Sequence, residues 1–211
     1  MPKGYWIPHI DVRDPEGYKA YTAATPAAHE KYRGVALVRG GRCEVVEGRG
    51  RARNVLREFP DYAAALACYR SEEYQRARPL RLQNAECDFI IAEGYEGAQP
   101  ASSSSAAPPA TARKGYWIGH IDVFDAEGYK PYLAANQMCF ANFGARYLVR
   151  GGATEVPEGK ARARTVVIEF PSYEAALACY RSGEYQAAKK LREGKGQTDL
   201  VIVEGYDGAK F

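Results

Sequence analysis

Nowhere do apolar residues run unbroken for the roughly 20 positions that a membrane-spanning helix needs, so the sequence predicts no membrane partner. The first residues, MPKGYWIPHIDVRD, interrupt their apolar character with His9 and Asp11 before the core of a signal peptide can form. A soluble, cytoplasmic protein is the expectation. Cysteine is sparse, with five residues (Cys43, Cys68, Cys87, Cys139, Cys179), an odd number with no CxxC and no Cys/His ligand spacing. That pattern argues against a disulfide framework and against a zinc site, and predicts reduced thiols and no bound metal. Excess charge is also missing: 29 Lys and Arg stand against 26 Asp and Glu. A balance this even does not draw the chain to nucleic acid. Nucleophile elbow, phosphate loop, dinucleotide fingerprint and HExxH are all absent, so nothing local calls for a cofactor, and none is expected.

What is present is repetition. KGYWIPHIDV at 3–12 returns as KGYWIGHIDV at 114–123, an offset of 111 residues. The same offset carries Arg39-Gly40-Gly41 onto Arg150-Gly151-Gly152, Glu58-Phe59-Pro60 onto Glu169-Phe170-Pro171 and Glu93-Gly94-Tyr95 onto Glu204-Gly205-Tyr206, with no gap. A unit this long is a whole small domain and not a solenoid repeat. Between the copies, QPASSSSAAPPATAR (99–113) holds no aromatic or large aliphatic residue and cannot offset its own ordering entropy by burial. The expected organisation is a first domain at 1–97, a Ser/Ala/Pro linker at 98–113 and a second domain at 114–211. A flexible tether of this length spans roughly 20 Å, enough for the two domains to pack side by side.

Within a copy, GYWIPHIDV has the aromatic and β-branched content of a strand. Asp14-Pro15 then supplies a helix cap and a proline at the first helical position, and Pro26 interrupts the helix that follows. VALVRGG reads as a second strand ending in a turn, and RARNVLREF and RARTVVIEF as a third. Asp61 and Ser172 cap a second helix whose Tyr62, Leu66 and Tyr69 share one face. A further helical turn leads to DFIIAEGY. The order β-α-β-β-α-β is ferredoxin-like, an antiparallel sheet with helices on one face only. The second copy is the natural cover for the bare face, which predicts an α+β fold of two ferredoxin-like domains packed as a pseudo-dimeric α+β barrel, with higher oligomers open.

The blocks GYWI-x-H-I-D-V, R-G-G, E-F-P, Y-R-S-x-E-Y-Q and E-G-Y, in this order and in both copies, resemble the family catalogued as domain of unknown function 1330, in the dimeric α+β barrel superfamily. The resemblance implies the barrel-like fold. It implies little about activity, because relatives in the superfamily include monooxygenases, isomerases, haem-binding peroxidases and proteins without known activity. The family's usual tryptophan after the second-strand glycines is replaced by Arg51-Ala52-Arg53 and Arg162-Ala163-Arg164.

Candidate chemistry centres on His9 and His120, equivalent positions on the first strand of each copy, because imidazole exchanges protons near neutral pH without special tuning. By the two-residue period, Tyr5 and Asp11, and in the second copy Tyr116 and Asp122, share their face. Arg39 and Arg150, ahead of paired glycines, are placed to clamp a carboxylate, or else to pair with Glu44 or Glu58. Arg49, Arg51 and Arg53, like Lys160, Arg162 and Arg164, read as a solvated strand edge or as an attraction for anions. The copies part company over TPAAHEKYRGVA (25–36) and NQMCFANFGARY (136–147), which raises the prospect of two pockets with different tastes. The expected function is binding of a small organic molecule, anionic or aromatic, in a pocket of each repeat, with metal-free acid–base help from His9 and His120. Two alternatives stay open: a non-catalytic interaction module, and a cofactor-free monooxygenase- or isomerase-like enzyme. The module predicts shallow pockets and a histidine with its hydrogen bonds satisfied, whereas an enzyme predicts His9 facing an apolar cavity beside Arg39.

Overall fold

The computed structural model describes residues 1–101 and 112–209, so most of the linker lies outside the described residues. The first copy runs β1 (Gly4–Val12), α1 (Pro15–Ala24), α2 (Pro26–Lys31), β2 (Val35–Arg39), β3 (Cys43–Glu47), β4 (Arg53–Phe59), α3 (Tyr62–Arg70), α4 (Glu72–Asn84) and β5 (Ala85–Glu93). The second runs β6 (Gly115–Val123), α5 (Ala126–Asn142), β7 (Arg146–Arg150), β8 (Thr154–Glu158), β9 (Arg164–Phe170), α6 (Tyr173–Arg181), α7 (Gly183–Lys190) and β10 (Gly196–Glu204). The caps follow the sequence: Asp14, Asp61, Ser71, Asp125, Ser172 and Ser182 each accept a hydrogen bond from a first-turn backbone N–H. Pro26 separates α1 from α2, while the second copy, with Gln137 there, makes one helix of 17 residues.

Each copy contributes the expected four strands and one more, and the extra strand is what joins the copies. The sheets are ordered β2-β4-β1-β5-β8 and β3-β10-β6-β9-β7, so each copy lends a strand to the edge of the other's sheet. β3 pairs with β10 and β8 with β5, both antiparallel. The paired glycines make the departure possible: Gly40 and Gly41 have φ of 76° and 107°, the left-handed region closed to most side chains. At this turn the chain leaves its own sheet for its neighbour's. Proline also leaves a mark on a central strand. β6 pairs with β9 continuously from Gly115 to Ile121, but the β1–β4 ladder skips Ile7 and Pro8, where an N–H is missing.

Alternation along β1 and β6 then sorts two kinds of core. Trp6 and Ile10 face the helices of the first copy with Tyr74 and Phe89, and Trp117 does the same in the second with Phe140 and Tyr185. Each indole N–H reaches a helix carbonyl, Trp6 on Ala65 at 2.8 Å and Trp117 on Ala176 at 3.0 Å. The opposite faces meet in a third core, where Ile7, Leu56 and Ile90 pack with Ile118, Val167 and Val201. Burying each of these contributes about 1.5–3 kcal/mol, and a separated copy would expose its whole share. Among the described residues no helix is long and apolar enough to cross a membrane.

Candidate functional site

The inter-sheet face of β1 carries Tyr5, Ile7, His9 and Asp11 in succession, and β6 carries Tyr116, Ile118, His120 and Asp122 opposite. At Ile7 and Ile118 the face is apolar and packed. At His9 and His120 it changes character, and a cavity of about 880 Å³ opens between the sheets. His9, Asp11, Arg51 and Asp88 line it with their counterparts His120, Asp122, Arg162 and Asp199, and Ile90, Ile118 and Val201 add an apolar part. The two imidazoles touch there, Nε2 to Nε2 at 2.9 Å, with rings edge to face. Each Nδ1 is engaged behind: His9 with Asn54 Oδ1 at 2.6 Å and His120 with Thr165 Oγ1 at 3.1 Å. Asn54 and Thr165 are almost wholly buried. Burial holds the His9 imidazole below its ordinary pKa, and burial followed by the neighbouring His9 pushes His120 down to about 3. Both rings are therefore neutral at pH 7.

The walls are two matching ion clusters. Arg51 donates to Asp88 at 2.6 Å and to Asp11 at 2.8 Å, and Arg162 to Asp199 at 2.8 Å and to Asp122 at 2.9 Å. Loops crossing from the other copy tie in: the Arg49 backbone N–H donates to Asp199 at 2.9 Å, and that of Lys160 to Asp88 at 3.0 Å. The solvated-edge reading of the Arg-rich segments is thus corrected for Arg51 and Arg162, whose heads are fixed in the cavity wall; Arg53 turns to the helix side of its sheet. Asp11 and Asp122 do not orient the histidines, since each accepts from an arginine and from the backbone of Ala52 or Ala163.

The remaining expected residues fall elsewhere. Tyr5 and Tyr116 sit at the opposite end, donating to Glu58 at 2.9 Å and Glu169 at 3.2 Å, and Tyr5 lines a separate polar cleft of about 210 Å³ there. Arg39 and Arg150 end strands whose preceding residues, Val38 and Val149, fill the inter-sheet core, so period two sends both arginines to the helix side, away from His9 and His120. Neither meets Glu44 or Glu58 in an ion pair; Arg39 lies over the Tyr206 ring at 5.8 Å and Arg150 over Tyr147 at 4.4 Å. These arginines line two small clefts between helices and sheet, of about 50 Å³ in the first copy and 60 Å³ in the second. The divergent segments line them, with Thr25 and His29 in one and Asn136 and Phe140 in the other. The Asn136 Oδ1 is buried without a hydrogen-bond partner. Replacing it with leucine is expected to stabilise the ligand-free protein by about 1 kcal/mol in urea unfolding, because a buried amide oxygen without a partner costs more than an apolar group of similar shape; a loss of that size would show the oxygen to be satisfied.

Sequence reading passed over Asn54, Thr165, Asp88 and Asp199. The aspartates had a signal, since CDFII and TDLVI keep Asp88 and Asp199 in register, directly across from His9 and His120 on the neighbouring strands. Asn54 and Thr165 had none, because the copies differ there. Haem, which the superfamily resemblance brings into view, would need one Nε2 of the central pair as its ligand, and in the closed pair at 2.9 Å neither is offered to it; the clefts beneath the helices are far smaller than a macrocycle and hold neither His9 nor His120. Among the described residues no three His, Cys, Asp or Glu side chains converge as metal ligands.

Comparison with curated proteins finds no match. Among solved structures, an anthrone oxidase-like protein aligns over 100% of this chain and 94% of its own at 14% identity and a TM-score of 0.56. A putative monooxygenase from Fusobacterium nucleatum aligns over 100% and 97% at 12% identity and 0.51. A mutant chlorite dismutase from Candidatus Nitrospira defluvii aligns over 98% and 92% at 9% identity and 0.51. At such identities the likeness is one of fold, the dimeric α+β barrel. The sequence itself matches one family model twice, over residues 3–95 and 114–206, and the chain therefore belongs to the family described as domain of unknown function (DUF1330), carried in tandem.

Proposed function

We propose that the protein binds a small polar organic molecule in the cavity between its two sheets and that His9 and His120 provide acid–base chemistry there without a metal. The observation that carries this reading is the neutral imidazole pair, at 2.9 Å, on the wall of a cavity of about 880 Å³. That volume is in the range of small-molecule sites, with a few convergent polar groups and titratable side chains shifted by burial. This reading places the ligand in the shared cavity built by both copies and not in the smaller cleft of each repeat. Arg49 and Lys160, exposed at the cavity and without a carboxylate at ion-pair distance among the described residues, favour an anionic group on the ligand's outer end.

One observation favours the interaction-module alternative: both ring nitrogens of each histidine are already engaged, as in a structural clasp. Native mass spectrometry separates the two. The protein purified without added ligand is expected to carry an adduct of defined mass above 23.3 kDa, lost in His9→Ala/His120→Ala with the fold retained by circular dichroism. A bare ion for the wild-type protein, with the double variant merely less stable, would support the clasp.

A further inference from the structure

The histidine pair sits near a pseudo-two-fold axis, yet a hydrogen bond between two imidazoles needs one donor and one acceptor. Strict symmetry cannot provide both. The residues behind the rings differ, and they break the tie. Asn54 Nδ2 donates to the Arg51 carbonyl at 3.2 Å, which turns its Oδ1 toward His9 Nδ1. An amide oxygen only accepts, so His9 carries its proton on Nδ1 and presents a bare Nε2. His120 must then donate from Nε2, and its Nδ1 accepts from the Thr165 hydroxyl, which can donate where an amide oxygen cannot. The chain of donors runs one way, from Thr165 through His120 and His9 to Asn54.

From this order we infer that duplication has given the two histidines opposite roles, His9 as the cavity's base and His120 as its hydrogen-bond donor, with Asn54 and Thr165 as the positioning residues. The tautomers follow from the contacts alone; the ligand class below rests on the reading of the cavity as a binding site. A molecule entering between the rings must offer a hydrogen to His9 Nε2 and an acceptor to His120 Nε2, two functions on neighbouring atoms. An enolisable carbonyl compound meets both demands. The carbon acid gives its proton to His9 Nε2, the electron pair of the broken C–H bond settles on the carbonyl oxygen, and the His120 N–H holds that oxygen. Asn54 Oδ1 accepts from the imidazolium so formed, and return of the proton to the ligand restores both rings. His120 keeps its own proton throughout. Asp88 and Asp199, directly across the neighbouring strands, favour the imidazolium, while Arg51 and Arg162 oppose it.

The test is ¹⁵N–¹H spectroscopy of the full chain with labelled histidine, at pH 7.5, with His29→Phe to remove the third ring. The expected spectrum has a protonated Nδ1 and bare Nε2 in one ring and the reverse in the other, and Asn54→Thr/Thr165→Asn exchanges them. Thr165→Val, a smaller change in shape, is expected to leave the His9 Nδ1 proton in place. Identical tautomers in the two rings, or an order that the exchange does not reverse, would overturn the assignment of roles. Pentane-2,4-dione, whose enol presents O–H and C=O together, is then added. Shifts at both Nε2 resonances are expected; tautomers as assigned with neither Nε2 moved would overturn the ligand class and leave the roles standing.

Discussion

Acidifying the protein from pH 7.5 to 5 is expected to remove at least about 4 kcal/mol of stability, a large part of what a domain of this kind possesses. Three buried imidazoles are responsible. His9 and His120 lie between the sheets, and His29 packs against Trp6 with its pKa pushed down to about 3 by burial, then by Arg57 and Arg39. All three have folded-state pKa values below the unfolded value near 6.5. The unfolded chain therefore binds more protons than the folded one at acid pH, so stability is complete above about pH 6.5 and declines as pH falls. His29 and His120 each contribute a slope of about 1.4 kcal/mol per pH unit, or about 2 kcal/mol by pH 5, and His9 acts in the same direction. Urea midpoints across the range measure it. His29→Phe, the residue the second copy carries as Phe140, should remove about 2 kcal/mol of the dependence, and a flat profile would contradict neutral burial of the three.

Glu158→Ala is expected to cost about 3–5 kcal/mol, since it strips the counter-ion from a buried guanidinium. Glu158 belongs to β8, the strand lent by the second copy, and its carboxylate lies beneath α4 of the first. There it accepts from Arg81 at 2.6 Å, Tyr69 at 2.7 Å and Arg78 at 3.0 Å. Arg81 has no exposed surface. Burial alone would raise the Glu158 carboxyl, but the Arg81 guanidinium together with the Tyr69 and Arg78 hydrogen bonds outweighs it and holds the group ionised. Glu47 does the same in reverse, accepting from Arg192 at 2.6 Å beneath the second copy's helices. Glu155→Ala on the same strand, partnered by an exposed Arg70, should cost under about 1 kcal/mol. Equal effects at Glu155 and Glu158 in urea unfolding would show that the exchanged strand is held by its ladder alone and not by its buried carboxylate.

The sequence was most informative where chemistry is local or repeated. Proline at 15, the caps, the alternation through Trp6 and His9 and the duplication itself are all properties of neighbouring residues or of a fixed offset, and they lead directly to a paired-sheet fold. Strand exchange was hidden because it depends on where a chain goes after Gly40-Gly41, and two glycines permit a departure without specifying its destination. CEVVE and TEVPE are short, with polar residues throughout, and do not read as strands until a partner's edge receives them. The site was half legible. His9, His120, Asp11 and Asp122 were found from period and residue type, and they do converge on one cavity. Arg39 was grouped with His9 because both follow strand signals, and the face each takes could not be compared until β2 was set in register beside β4. Asn54 and Thr165 stayed invisible because a polar residue flanked by valine and arginine in a strand announces nothing; only the ring behind which each stands gives it meaning.

A crystallographic screen of the full chain against small carboxylic acids and enolisable carbonyl compounds tests the central claim most directly. The account predicts density between the sheets, in hydrogen-bond contact with His9 Nε2 and His120 Nε2, with the two rings moved apart from 2.9 Å to admit it. Fragments found only in the clefts beneath the helices, with the histidine pair closed in every structure, would contradict it.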